Sequence, residues 1–268
     1  MGVLGAICEA KRAHVAACRA RVPLAEIRQR AESAGPARGF AAALAARPGP
    51  ALIAEVKRAS PSKGTLFPQA DAAEVAQAYE RGGAACLSVL TDTPYFGGRD
   101  EDLVQARAAT RLPVLRKDFT LEPYQVYEAR ALGADAILLI LAALEDPLAA
   151  SLASLAADLG MDVLCEVHNE AELARAAALG ARLIGVNARN LGTLAVDLAV
   201  PRALIARMPQ GALPVAESGI DGPETLTDLH AQGYRAFLVG EALMRAPDQE
   251  IATRALLRGQ FGEDAKLL

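Results

Sequence analysis

PVLRKDFTLEPYQVYEARALGADAILLI, residues 113–140, contains one full period of a pattern that runs through most of the chain. Pro113–Lys117 is a short apolar run, Gly133 ends the helical stretch that follows, and Asp135–Ile140 is apolar almost throughout. Parallel strands buried on both faces have this composition, and a strand followed by a glycine-terminated helix makes one βα unit. Similar runs recur at Leu52–Lys57, Ala85–Leu90, Asp162–Val167, Arg182–Asn187, Leu213–Glu217 and Arg235–Gly240, spaced as one strand plus one helix requires. The expectation is an α/β fold whose eight parallel strands close into a (β/α)8 TIM barrel.

Capping signals support the same division. Asp71 with Glu74, Asn169 with Glu172 and Asp221 with Glu224 each place a cap three residues before a carboxylate able to reach back, which predicts helix starts. Gly82, Gly133, Gly160, Gly180 and Gly233 fall where helical patterns stop and supply the left-handed residue that releases the chain. Leu148, Leu152, Leu155 and Leu159 form a stripe at helical spacing, with Pro147 suited to the first turn, and read as core packing. The first fifty residues stand outside this rhythm. Ile7 to Ala34 is rich in Ala, Arg and Glu, and Gly35-Pro36 and Pro48-Gly49-Pro50 separate it from the strands. We therefore expect residues 1–50 to be a helical extension packed on the barrel and 51–268 to be the barrel, a single catalytic domain. The extension is either a solvated arm or a clamp over one barrel mouth.

With 268 residues and 52% hydrophobic content, the chain can bury one large core. A net charge of −4 leaves no excess of cations for a phosphate backbone, which argues against a nucleic-acid partner. Cys8, Cys18, Cys86 and Cys165 lack metal-ligand spacing and read as free thiols of a reducing compartment; no metal or cofactor is called for. No stretch approaches the ~18 apolar residues of a membrane span, so the protein is expected to be cytoplasmic. No obligate protein partner is evident in the sequence.

Barrel enzymes take their reacting groups from the carboxyl ends of the strands. Here those ends are polar: Lys57, Lys117, Glu166, Asn187, Glu217, and then Gly240. Charged residues are rarely buried unless paired, so converging lysines and glutamates imply acid–base chemistry. Residues two apart on a strand share a face, which places Glu55 with Lys57 and turns Arg116 away from Lys117 toward the helices. Glu55, Lys57, Lys117, Glu166, Asn187 and Glu217 should then meet at one mouth. Glu217-Ser218-Gly219 and Leu238-Val239-Gly240-Glu241 lead from the last two strands into helices, where this fold usually cradles phosphate with backbone N–H groups. That reading implies a sugar-phosphate substrate.

The motifs IAEVKRASPSKG (53–64), SVLTD (88–92), YFGG (95–98), LRKDF (115–119), CEVHN (165–169), GVNARNL (185–191), AESGI (216–220) and FLVGEALM (237–244) together resemble the indole-3-glycerol-phosphate synthase family over essentially the whole chain. With no fused second barrel after Leu268, the expectation is the monofunctional form, acting in tryptophan biosynthesis. The resemblance implies a carboxy-lyase that closes the indole ring of 1-(2-carboxyphenylamino)-1-deoxyribulose 5-phosphate, releasing carbon dioxide and water without a cofactor. It implies Lys117 as acid in ring closure and Glu166 as base in dehydration, with Lys57 and Lys117 both candidates for the dehydration acid. Glu55 and Glu217 position the lysines. Ser60, Asn187 and Arg189 hold the substrate carboxylate and hydroxyls, and Phe96, Phe119 and Leu238 contact substrate. The apolar end of the fourth strand, Ile140 and Leu141, is a further candidate wall for the aromatic ring. Lys57, Ser218, Gly219, Gly240 and the backbone of Glu241 are the expected phosphate site. Glu241 stands where some relatives carry Ser, so its side chain is not expected to face phosphate. His14, His168 and His230 read as structural or surface residues. Two other readings share these residues: a Schiff-base aldolase using Lys117, and a sugar-phosphate sensor without chemistry.

Overall fold

The computed structural model describes residues 2–61 and 64–258; Ser62 and Lys63 of the 53–64 motif and the last ten residues of the expected barrel segment lie outside the described residues. Eight strands, β1 (Ala51–Val56), β2 (Cys86–Leu90), β3 (Val114–Lys117), β4 (Ala136–Ile140), β5 (Asp162–Val167), β6 (Leu183–Asn187), β7 (Leu213–Glu217) and β8 (Ala236–Val239), form a closed barrel. All neighbours are parallel, and the ring closes where β8 pairs with β1, Ala236 beside Ala51. The expected TIM barrel is the observed fold, with strand boundaries shifted by a residue at most at either end. A two-residue hairpin, Ala59–Ser60 with Gly64–Thr65, follows β1.

Strand alternation divides the apolar residues into two cores. Ile53, Leu115, Leu138, Ile140, Leu164, Val215 and Leu238 fill the barrel interior. Leu52, Leu87, Val114, Ile137, Leu139, Cys165, Ile184 and Phe237 face the helices. Arg116 points outward, as its parity requires, and is buried among Asp100, Asp118 and Glu128.

Asp71 accepts hydrogen bonds from the backbone N–H groups of Ala73 and Glu74, and Asn169 accepts from that of Glu172, so two of the expected caps are present. The third is not. Helix Pro223–Ala231 starts after Gly222, and Asp221 instead accepts from the Thr225 hydroxyl. Pro223 fixes the helical φ and has no N–H needing a cap, which moves the start past Asp221. Gly133, Gly160, Gly180 and Gly233 have positive φ, but Gly82 lies inside its helix and Gly83 takes the left-handed position at φ 98°. Gly82 is small for another reason: a β-carbon there would stand 2.5 Å from Thr253 Cβ on helix Gln249–Arg258. In helix Asp146–Asp158 the buried stripe is Ala149, Leu152 and Ala156, and Leu148 is exposed at its edge. Leu141, expected beside Ile140 in the substrate wall, faces the outer core because successive residues alternate sides.

The extension forms α1 (Val3–Arg21), α2 (Leu24–Glu32) and α3 (Phe40–Ala45), with Pro23 separating the first two. It reaches both ends of the barrel. Buried Lys11 on α1 pairs with Asp92, just past β2, at 2.8 Å and with Asp118, just past β3, at 2.7 Å. At the opposite end the Arg38 backbone N–H donates to Asp135 and that of Ala41 to Asp162, seating fully buried Phe40 under the barrel with Ala51 and Ile53. No helix among the described residues is long and apolar enough to cross a membrane.

Candidate active site

The carboxyl ends of the strands open into a cavity of about 820 Å³. Its lining includes Glu55, Lys57, Ser60, Phe96, Lys117, Phe119, Ile140, Glu166, Asn187, Arg189, Glu217, Ser218, Gly219, Leu238, Gly240 and Glu241, so every expected site residue except the candidate wall residue Leu141 converges there. The barrel register explains the convergence. Glu166 stands beside Gly185 and Asn187 beside Glu217 on neighbouring strands, which brings side chains distant in sequence to one height.

Two lysines and three carboxylates form the floor. Lys57 Nζ lies 2.7 Å from Glu55 Oε1, and Ser88, one strand over, donates to Glu55 Oε2 at 3.3 Å. Lys117 Nζ lies 3.5 Å from Glu166 Oε2 and 3.7 Å from Glu217 Oε2. Burial works against the charge on Lys117, but Glu166, Glu217 and Glu55 outweigh it and hold the ammonium well above its ordinary pKa. The two glutamates beside it separate. Burial pushes both carboxyls up; Lys117, His168 and Asn187 reverse this at Glu166 and keep it ionised. At Glu217 burial and the charge of Glu166 raise the pKa, opposed by Lys117, so Glu217 is the member of the pair that keeps a proton. Burial also pushes Glu55 up, but Lys57 and Lys117 hold it low.

Small residues make room for these acids. A β-carbon on Gly185 would lie 2.0 Å from Glu217 Oε1, and one on Gly240 would lie 2.5 Å from Glu55 Oε1. Gly240 was expected at the phosphate site, and its close approach to Glu55 is an additional constraint. Asn187 Oδ1 accepts from the Ser218 hydroxyl at 2.8 Å and from the Arg189 backbone N–H at 3.0 Å, joining the ends of β6 and β7. Ser218 and Gly219 are both left-handed, at φ 64° and 75°; for a serine that conformation is uncommon and concentrates at functional sites. Glu241 directs its carboxylate toward Arg189 at 4.0 Å and Arg245 at 3.5 Å. The Phe96 and Phe119 rings sit 6.3 Å apart at 37° on one side of the cavity.

Several contributors escape a reading of strand ends. Val3, Leu4 and Ile7 of α1 line the cavity, as does Arg245. Ser88 and Gly185 face inward by strand parity, which is a usable signal; the α1 residues carry none, since nothing in an isolated helix says what it will cover. His14 is close to Cys18 and His230 to the Tyr234 carbonyl, whereas His168 Nε2 lies 3.2 Å from Glu166 Oε1.

The family model described as indole-3-glycerol phosphate synthase matches residues 4–256. The chain belongs to the indole-3-glycerol phosphate synthase family. Synthases of this family from several organisms are more than half identical to it. That of Azospirillum brasilense is 54% identical over 260 residues, 95% of this chain and 98% of that protein. That of Rhodospirillum rubrum is 53% identical over 259 residues, with the same shares covered. A thiamine phosphate pyrophosphorylase from Pyrococcus furiosus superposes at a TM-score of 0.59 with 19% identity, over 78% of this chain and 94% of that one, a likeness of fold alone. The span matched to the synthase family takes in α1 from Leu4 onward as well as every strand, so extension and barrel belong to one family unit.

Proposed function

We propose that this chain, as an indole-3-glycerol phosphate synthase, converts 1-(2-carboxyphenylamino)-1-deoxyribulose 5-phosphate to indole-3-glycerol phosphate, carbon dioxide and water through Lys117, Glu166 and Lys57. The observation that carries the residue roles is Lys117 Nζ placed 3.5 Å from Glu166 and 3.7 Å from Glu217 at the barrel mouth, where burial and the shared lysine drive the two carboxyls apart. The ring carbon bearing the carboxylate attacks the C2′ ketone, and Lys117 gives a proton to the developing alkoxide. Carbon dioxide then leaves, its bonding pair restoring the aromatic ring. Glu166, ionised and so able to act as base, removes the C1′ proton as the C2′ hydroxyl departs. Lys117 has by then spent its proton, which favours Lys57, paired with Glu55 at 2.7 Å, as the acid that turns hydroxide into water. The same geometry disfavours the aldolase reading: a Schiff-base lysine must be a neutral amine, and Lys117 is held cationic by its carboxylates.

Phe96, Phe119 and Leu238 pack the aromatic ring, while Ser60, Asn187 and Arg189 take its carboxylate and the hydroxyls. Phosphate sits against Lys57 and the backbone of Ser218, Gly219, Gly240 and Glu241, with the Glu241 carboxylate drawn aside by Arg189 and Arg245. Residues 1–50 serve as the extension and the rest as one catalytic barrel, working in the cytoplasm on a free small molecule. The test is to mix purified protein with this substrate and follow indole fluorescence beside Lys117→Ala and Glu166→Gln. The parent should turn over, and each variant should lose about 10² to 10⁴ in kcat while still binding product. Full turnover by either variant would remove that residue from its role, and binding without turnover by the parent would leave only a sensor.

A further inference from the structure

We propose that His168 is a positioning residue for Glu166: as an imidazolium clamped between Glu166 and Glu172, it orients the base carboxylate and preserves its charge while Lys117 gives up its proton. The inference rests on the reading of Glu166 as base.

The ring contacts a carboxylate at each nitrogen. Nε2 lies 3.2 Å from Glu166 Oε1 and Nδ1 lies 3.0 Å from Glu172 Oε2. A neutral imidazole has one N–H and one lone pair, so one of these contacts would set a lone pair against a carboxylate oxygen; only the doubly protonated ring suits both. Glu172 is itself held in place. It accepts from the His168 backbone N–H at 2.9 Å and from the Asn169 side chain at 2.6 Å, and its own N–H is capped by Asn169. The cap that begins helix Glu170–Ala178 therefore fixes the outer carboxylate, Glu172 fixes the ring, and the ring fixes Glu166.

The charges around the ring are few. Glu166 on β5 and Glu172 on the following helix face it, and Lys117 on β3 reaches only the other oxygen of Glu166. Arg175, further along that helix, turns to Asp146 and the carbonyls of Leu141 and Leu144, and the Leu141–Ala143 turn against the helix carries no titratable side chain. Burial penalises the charged ring, but its close contacts with Glu166 and Glu172 and their charges outweigh that penalty and push its pKa up to about 10. His168 does not line the cavity, so it acts on substrate only through Glu166. Its value is greatest once Lys117 is neutral, when His168 is the remaining cation in contact with the base.

The chain has three histidines, so ring 15N–1H NMR signals can be assigned by comparing the parent with H168N. The His168 ring should remain an imidazolium from about pH 6 to about pH 9. Glu172→Gln, which keeps the histidine in place, should bring its titration down toward neutral pH. In that variant kcat should fall with a new pH dependence over the same range, while KM changes less than about twofold. H168N, if folded by thermal melting, should lose about 10²-fold in kcat, the size expected when a reacting group is misaligned. A neutral His168 ring in the parent at about pH 7.5, or a Glu172→Gln profile that superimposes on the parent's, overturns the proposal. The two readings fail separately: full activity in Glu166→Gln would refute the base assignment and leave the NMR result on His168 unaffected.

Discussion

A β-carbon on Gly185 would stand 2.0 Å from Glu217 Oε1 and 3.2 Å from Leu164 Cδ1, so at this position the absence of a side chain is what admits a buried acid. Gly185→Ala should push Glu217 from its place beside Lys117, lowering kcat, and cost about 1–3 kcal/mol of stability through overpacking. Steady-state kinetics and urea denaturation would show both effects, and an unchanged kcat would mean that Glu217 can relocate freely. Glu217 itself should trade stability for function. Its raised pKa means that the folded state binds more protons than the unfolded one above about pH 4.3, the ordinary glutamate value, so its contribution to stability declines as pH rises from there toward the folded value. Glu217→Gln should therefore gain stability relative to the parent as pH rises from about 5 to about 8, while losing activity. Thermal melts across that range check the sign; a gap that narrows with rising pH would contradict it.

Helix α1 is joined to the barrel by charge as well as by apolar packing. Lys11 bridges Asp92 and Asp118, and Asp118 also accepts from Thr91 and lies beside Arg116, all within a buried network directly behind Lys117. Removing one member of a buried ion pair leaves the others uncompensated, typically at about 3–5 kcal/mol. Lys11→Met should destabilise by that order in denaturant titration and weaken substrate binding, because Val3, Leu4 and Ile7 would no longer be held over the cavity. A variant as stable as the parent would show that the apolar contacts of α1 suffice. Burial raises the Asp118 carboxyl, but Arg116 and Lys11 more than reverse this, so its pKa is depressed. Its share of stability is thus present above about pH 3.9 and is lost as pH falls through the lower folded value.

At the scale of the molecule, one extension serves opposite ends of one barrel. Its first turns cover the mouth that holds the lysines and glutamates, and α3 inserts fully buried Phe40 beneath the interior core. Phe40→Ala should cost about 3–5 kcal/mol, the usual range for emptying a buried aromatic site. Since residue 40 is remote from the chemistry, kcat measured well below the melting temperature should change much less than stability does. A large kcat loss in a fully folded Phe40→Ala protein would indicate that the lower plug also shapes the mouth.

Periodicity was enough to place the eight strands and their inward faces, because a parallel strand buried on both sides must be apolar and its alternation is fixed by backbone geometry. The polar strand ends stood out for the same reason, since Lys117, Glu166 and Glu217 interrupt apolar rows where no solvated surface is due. Asp71 and Asn169 were legible as caps because capping is local; Asp221 was not, because Pro223 two residues later competes for the same start. Tertiary structure alone decided the rest. Which glutamate is ionised depends on distances among β3, β5 and β7, and the charge state of each carboxylate is set by neighbours far away in sequence. The sequence set His168 aside because a lone histidine after a strand says nothing of its partners; only the folded turn into helix Glu170–Ala178 places it between two carboxylates. The route of the extension, with α1 over the mouth and Phe40 under the barrel, likewise follows from long-range packing that no local propensity encodes.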